Sequence, residues 1–430
     1  MTSSAPAGPQ KLAILVGGGP APGINSVIAA ATLRALDAGI EVLGLPHGYS
    51  QVMQGTLDQV RSLSALDVRD IHVQGGAILG TARANPTRQA AHLDRVVQSL
   101  GELGVTQLIT IGGDDTAFSA MKVAERAGAR LRVAHVPKTI DNDLALPDHV
   151  DTFGYQTARH LGAGLVRNLI IDARASGRWY FVVAMGRKAG SLALGIAKAA
   201  GAHIAVIPEE FPAGPVSLDR MADVLAGAII KRRAQGAKDG VAVLAEGLAE
   251  LISEDELHRL GTVERDEHNH IRLAEIDLGK GLRKLVDARL KPLGINANIV
   301  SKDIGYELRC ADPIPVDVEY TRDLGCCAAQ FLLEGGSNAL ISIQEGRFVP
   351  IAFADLLDPV TGHTRVRTVD TSSLRYRVAR QFMTRLTAHD FADTEALDAL
   401  ARAASTDAAG FRSRFEYLVA HDAPDWHLRV

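Results

Sequence analysis

Cysteine is scarce in this chain. Three cysteines in 430 residues, two of them adjacent (Cys326, Cys327), supply no disulfide framework, so reduced thiols and a cytoplasmic location are expected. No Cys-x-x-Cys pair occurs, which leaves a zinc site without its usual signature. Aromatic residues make up only 5% of the chain. An excess of one charge is also lacking. Lys and Arg total 46 against 50 Asp and Glu, a net of −4, so neither nucleic acid nor an anionic membrane is expected as a partner, although a local basic pocket stays open. Leu12 to Leu33 is uncharged and long enough to prompt a membrane check, but Gly17, Gly18, Gly19, Pro20, Pro22 and Gly23 break it and Asn25 and Ser26 follow. It reads as a strand, a turn and a helix, and as neither a membrane span nor a signal-peptide core. No repeat of solenoid period and no low-complexity segment is found.

What is abundant is glycine, 41 residues, within a chain that is 47% apolar. That balance suits an α/β protein with many tight strand-to-helix turns, and the length suits two or three domains. Met1 to Gln10 reads as a loose tail. Strands are expected at Lys11–Val16, Glu41–Leu45, Gln107–Ile111 and Leu131–Val136, with helices at Asn25–Ala38 and Asp115–Ala127. A second block places helices at Thr157–Ile171, Ser191–Ala200 and Met221–Ala234, and strands at Trp179–Ala184, His203–Ile207 and Val241–Leu244. Leu248 to Leu290 is charged and irregularly helical. Its polar cluster, Glu264 to His270, is either a solvated loop or a metal site using His268 and His270, for which no third ligand lies nearby. Further on, Arg322–Leu333 reads as a helix, Ala339–Ile343 as a strand and Leu374–Leu386 as a helix. Alternating strands and helices imply mostly parallel sheets, in which ligands bind beyond the carboxyl ends of the strands.

Glycines and charged residues concentrate at those ends. Gly17-Gly18-Gly19-Pro20-Ala21-Pro22-Gly23 joins a strand to a helix and could present backbone amides to an anion, or be a structural turn. It is not a P-loop, because Ile24 follows Gly23, nor a dinucleotide turn, because Pro22 stands in place of the third glycine. Gly75 to Arg83 is a second glycine turn ending in an arginine, whose fork suits phosphate. Gly112-Gly113-Asp114-Asp115 ends a strand in two carboxylates that suit Mg²⁺, with helix capping by Asp115 as the other reading. Pro137-Lys138-Thr139-Ile140-Asp141-Asn142-Asp143 supplies a cation, a hydroxyl and two carboxylates, a set able to accept a hydroxyl proton and neutralise phosphoryl oxygens. Met185-Gly186-Arg187 with Arg178, Glu246-Gly247, and Gly305-Tyr306-Glu307-Leu308-Arg309 are weak signals singly. Together they suit a phosphorylated, hydroxylated ligand.

In this order and over about residues 11 to 350, the motifs resemble the phosphofructokinase family. The resemblance implies two Rossmann-like α/β lobes with mostly parallel sheets, the active site in the cleft between them, Mg²⁺, and phosphoryl transfer to the 1-hydroxyl of fructose 6-phosphate. Residues 11–152, joined by part of 310–372, would form the diphosphate and Mg²⁺ lobe. Residues 153–309 would form the sugar-phosphate lobe, and 373–430 a C-terminal helical extension. ATP-using members carry glycine where this chain has Asp115 and Lys138, so it resembles the diphosphate-dependent branch. Asp115 would crowd and repel the α-phosphate of a nucleotide, and Lys138 would add charge for the small diphosphate. The same fold using ATP, or diphosphate with another sugar phosphate such as sedoheptulose 7-phosphate, are the alternatives.

Carried onto matching positions, the resemblance makes Asp141 the base. Thr139 and Asp143 would position the hydroxyl and the transferred group, with Arg187 among the catalytic residues. Asp114 would hold Mg²⁺; Gly18, Arg83 and Lys138 would contact diphosphate. Met185, Gly186, Arg187, Glu246, Tyr306 and Arg309 would contact the sugar phosphate. Arg178 matches an arginine that reaches that phosphate from a neighbouring subunit, implying a homo-oligomer, dimer or tetramer. Departures are Tyr306 in place of histidine, Cys310-Ala311 in place of two glycines, and Val300 in place of a phosphate-binding arginine, with Lys302 as its substitute. Ile28 and Thr32 lie near the positions of effector-binding arginines, so the usual nucleotide effector site is expected to be missing. A non-catalytic sensor would lack the base or the metal ligand, yet Asp141 and Asp114 are present. No motif is assigned beyond Leu357.

Overall fold

Five consecutive aliphatic residues, Leu12 to Val16, are fully buried in the strand Lys11–Val16. A strand apolar on both faces belongs in the middle of a parallel sheet covered by helices, and the computed structural model shows that arrangement. Residues 10–147, 149–211, 214, 216–258, 260, 276–362 and 364–420 are described. The tail over residues 1–9 and the Glu264 to His270 cluster, with its His268 and His270 metal alternative, lie outside the described residues.

The chain divides into two compact units. One holds the described residues up to Ala158 together with Tyr306–Arg367; the other holds those from Arg159 to Gly305 together with the described chain from Thr368 onward. The sequence-based division falls instead at 152/153 and 309/310 and sets 373–430 apart. The C-terminal helices Leu374–Gln381, Ala388–Ala392, Thr394–Ala403 and Ala408–Phe415 pack within the second unit. Arg385 there pairs with Glu210 at 2.6 Å, with side chains 10% and 5% exposed, and the Tyr376 hydroxyl donates to the same carboxylate at 2.8 Å.

The first unit is built on an eight-stranded sheet. Its order is Ile351–Ala352, Ala339–Leu340, Arg132–Thr139, Gln107–Gly112, Lys11–Val16, Glu41–Leu45 and Arg61–Ser62, with Phe153–Gly154 pairing beside Lys138 and Thr139. Lys11–Val16 runs parallel to both Gln107–Gly112 and Glu41–Leu45, and Gln107–Gly112 runs parallel to Arg132–Thr139. The first and third glycine-rich motifs and the Pro137–Asp143 motif therefore close adjacent parallel strands at one edge. The second unit has a four-stranded parallel sheet, ordered Ile299–Ile304, Trp179–Ala184, Gly240–Ala245, Ile204–Val206. Among the described residues, no helix is long and apolar enough to cross a membrane.

Several expected elements differ in extent; the helix expected at Thr157–Ile171 runs Tyr155–Ser176, and the strand expected at Leu131–Val136 runs Arg132–Thr139. The helix expected from Arg322 begins at Pro315, whose fixed φ suits the first helical turn. The expected Ala339–Ile343 strand pairs in the main sheet only at Ala339–Leu340, and Ile343–Gln344 forms a separate hairpin with Arg347–Phe348. The helix from Leu374 stops at Gln381, and Thr384 beyond it donates its N–H to the His203 carbonyl at 2.6 Å, drawing the chain onto the sheet. The strand Ile299–Ile304 was not expected. It lies at the sheet edge with Ser301, Lys302 and Asp303 in its middle, so it lacks the apolar run of a central strand.

Candidate active site

In the first unit, the two glycine turns nearest the sheet centre close over one side chain. A Cβ at Gly17 would lie 2.3 Å from Thr116 Oγ1, and one at Gly112 would lie 2.4 Å from the same atom. Only hydrogen fits at both positions, so the backbone of each turn comes to rest against buried Thr116. Gly17 also bridges to Ala82, and Gly18 N–H donates to Ala82 O at 2.9 Å. The second glycine segment, and Arg83 with it, is thereby tied to the first turn. Asn25, on the first helix, extends this tie. Its amide nitrogen donates to Gln74 O and Gly75 O, each at 3.1 Å, and its Oδ1 accepts from Ile78 N–H at 2.8 Å.

Asp114 and Asp115 occupy the first turn of the helix Asp114–Ala127, at the end of Gln107–Gly112. The positive end of the helix favours carboxylates there. Below them His135 is fully buried, and burial pushes its imidazole down to about 3, so it is neutral. Its Nε2 lies 3.0 Å from Gly112 O and its Nδ1 2.8 Å from Thr110 Oγ1. A carbonyl can only accept, so Nε2 carries the proton and Nδ1 accepts from the threonine hydroxyl. The ring thus holds the strand end from which Gly113 and Asp114 emerge. The sequence reading missed His135; its signal is a lone polar ring within the apolar stretch Val133–Val136.

Lys138 is the electrostatic centre of this unit. It is 5% exposed and donates to Gly19 O at 2.6 Å. Burial pushes its ammonium down to about 8 from 10.5; Asp141 and Asp143 oppose that effect, and Arg309 and Arg83 add to it. One ammonium thus feels both carboxylates of its own motif and two arginines from distant segments. A Cβ on Gly18, which holds φ 79, would lie 3.1 Å from Lys138 Nζ, and one on Gly19 would lie 3.0 Å from Arg309 Nη1. The glycine turn, Lys138 and Arg309 are therefore in direct contact. Arg309 also covers the exposed Tyr306 ring, 4.6 Å from guanidinium carbon to centroid. Asp141 follows a tight turn in which its N–H donates to Thr139 Oγ1 at 3.0 Å, while Thr152 Oγ1 donates to Thr139 O at 2.6 Å. Gly18, Arg83, Asp114, Asp115, Lys138, Thr139, Asp141, Asp143, Tyr306 and Arg309 all belong to this unit.

In the second unit, Met185-Gly186-Arg187 closes the strand Trp179–Ala184. Gly186 N–H donates to Glu246 Oε2 at 3.2 Å, and Gly247 N–H to Gly186 O at 2.9 Å. Met185 N–H donates to Ile304 O at 3.0 Å, and a Cβ on Gly305 would lie 2.9 Å from Met185 Cε. Met185, Gly186, Glu246 and Gly305 thus meet at the carboxyl ends of three adjacent strands. Arg178 does not join them. It precedes the same six-residue strand, about 23 Å from Met185 at an extended rise. Its Nε lies 3.8 Å from Asp172 Oδ2, whose carboxylate also accepts the Tyr180 hydroxyl.

Chemically, the first unit offers a buried cation, two arginines and glycine-turn amides beside a carboxylate pair. That set suits a small polyanion together with the removal of a proton. Among the described residues, no three His, Cys, Asp or Glu side chains converge on a metal position.

Residues 11–332 match the phosphofructokinase family pattern. Over 393 residues the chain is 50% identical to a Thermotoga maritima protein named pyrophosphate–fructose 6-phosphate 1-phosphotransferase, spanning 90% of this chain and 94% of that one. It is 48% identical over 417 residues to a Naegleria fowleri protein of the same name, spanning 95% of both. The fold is also that of a Marinobacter aquaeolei crystal structure described as a pyrophosphate-dependent phosphofructokinase, with a TM-score of 0.65 at 16% identity, covering 87% of this chain and 90% of that one.

Proposed function

The chain belongs to the phosphofructokinase family, and we propose that it reversibly transfers a phosphoryl group from diphosphate to the 1-hydroxyl of fructose 6-phosphate. The products are fructose 1,6-bisphosphate and phosphate. The single observation that carries the reading is the buried Lys138, set against Gly18 and Gly19 and within the field of Arg83 and Arg309. Such a compact positive site suits a short, highly charged donor. Asp115, at the head of its helix, adds a carboxylate that disfavours a nucleotide's α-phosphate.

In this reading Asp141 takes the proton of the 1-hydroxyl as its oxygen attacks phosphorus. The bridging P–O bond of diphosphate breaks, and Lys138 and Arg83 neutralise the departing phosphate. Thr139 and Asp143 orient the reacting groups. Arg187, Met185, Gly186 and Glu246 bind the sugar phosphate, with Tyr306 and Arg309. The contact of Arg309 with Gly19 gives its charge to the donor side as well. Arg178 lies far along the strand from Met185, which favours its serving another subunit's sugar phosphate in a homo-oligomer.

Magnesium fits the donor set. A closed protein cage is missing among the described residues, but Mg²⁺ binds through one or two carboxylates, waters and substrate phosphates. Asp114, with Asp115 beside it, would hold the ion, which would supply charge neutralisation to the phosphate oxygens. A cytoplasmic setting accords with three unpaired cysteines.

The test is a donor comparison: purified protein, fructose 6-phosphate and Mg²⁺, with diphosphate or ATP. Turnover with diphosphate and release of orthophosphate are expected. Equal or faster turnover with ATP would overturn the donor assignment.

A further inference from the structure

The segment beyond Leu357, which carries no recognised motif, runs back along the Asp141 loop. Val366 pairs antiparallel with Leu144, and Arg367 N–H donates to Asp143 O at 2.8 Å. The half-buried Arg367 guanidinium then spreads over the loop backbone. Its Nε donates to Asn142 O at 3.1 Å. Its Nη1 donates to Leu146 O at 3.3 Å, Pro147 O at 3.0 Å and Val150 O at 2.8 Å. Its Nη2 donates to Asn142 Oδ1.

The residue so gripped sits between the two carboxylates. Asn142 holds φ 57, in the left-handed region that side chains rarely adopt. Its own side chain is held from both ends, since Oδ1 also accepts from Thr152 N–H at 2.9 Å and Nδ2 donates to Asp151 Oδ1 at 2.8 Å. A left-handed residue reverses the chain locally and aims the carboxylates on either side of it. Such a conformation persists only where its surroundings over-determine it. A planar guanidinium can reach several carbonyls at once, whereas an ammonium is a point donor.

We infer that Arg367 is a positioning residue for the reaction, clamping the loop through Asn142 so that Asp141 and Asp143 keep their reactive geometry. The inference rests on the proposed function for its catalytic consequence, while the clamp itself can be tested apart from activity.

Arg367→Lys and Arg367→Ala are compared with the parent by amide hydrogen exchange over residues 141–152 and by steady-state kinetics with diphosphate. Faster exchange confined to this segment is expected. With it, kcat should fall roughly 10–100-fold, as small misplacements of reacting groups do, while KM for diphosphate stays within about twofold. Added guanidinium ion should restore part of the Arg367→Ala turnover. Unchanged exchange overturns the clamp, and faster exchange with unchanged kcat overturns the positioning role. A general rise in exchange, with kcat and both KM values failing together, also overturns it. If Arg367→Ala does not fold, Arg367→Lys decides the matter. A parent without diphosphate turnover refutes the proposed function, and the exchange comparison then judges the clamp alone.

Discussion

Replacing Lys138 with methionine should separate stability from activity. The side chain stays unbranched, shortened by one atom, and loses its charge. In the folded protein the ammonium is held at a disadvantage, since its ordinary value of 10.5 falls to about 8, mainly through burial. At pH 7 that difference corresponds to about 3 kcal/mol of destabilisation, removed in the variant. Against it stands the lost hydrogen bond to Gly19 O at 2.6 Å, worth about 1.5–3 kcal/mol for a charged donor. The two nearly cancel, so thermal unfolding at pH 7 should move by only a few degrees. Diphosphate turnover should instead fall on the order of 10²–10³-fold, the usual consequence of removing a preorganised charge from a reacting site.

The same group predicts a pH dependence. Between pH 8 and 10.5 the unfolded chain keeps a proton that folded Lys138 has released, so this residue makes the parent more stable as pH rises through that window. Lys138→Met should lack that rise. Melting curves across the window, beside initial rates of orthophosphate release, make the assay. Unchanged turnover in the folded variant would refute the reasoning. So would a loss of several kcal/mol of stability, which would mark Lys138 as a structural cation.

Asp141→Asn should fold and bind both substrates yet lose about 10²–10⁴-fold in kcat, because an amide cannot accept the hydroxyl proton; near-normal turnover would remove Asp141 from that role. Arg178→Ala should raise KM for fructose 6-phosphate roughly 10–100-fold, a charged hydrogen bond's worth, while KM for diphosphate holds; an unchanged sugar-phosphate KM would contradict the assignment. Arg385→Ala removes the cation beside the nearly buried Glu210 carboxylate, leaving it the Tyr376 hydroxyl, and should lower stability by about 3–5 kcal/mol in denaturant titrations. A loss below about 1 kcal/mol would show that this pair does little to hold the C-terminal helices.

Much of the architecture is local chemistry and was legible in the sequence. Aliphatic runs such as Leu12 to Val16, each ending in glycines or charged residues, imply buried parallel strands and ligand-facing turns, because such a run can hide its backbone polar groups only inside a sheet. The motif residues Lys138, Asp141 and Asp114 could be nominated for the same reason, since their types and spacing state their chemistry. The edge strand Ile299–Ile304 was not legible, because its exposed edge position tolerates Ser301, Lys302 and Asp303.

Tertiary structure alone decided the rest. The lowered proton affinity of Lys138, the tautomer of His135 and the hold of Arg367 on Asn142 depend on groups that lie far apart in sequence and meet only after folding. Arg367 is separated from Asn142 by 225 positions. Hydrogen bonds and burial act through space over a few ångströms, and a linear pattern records neither which carbonyls an arginine will find nor how deeply an ammonium will be enclosed.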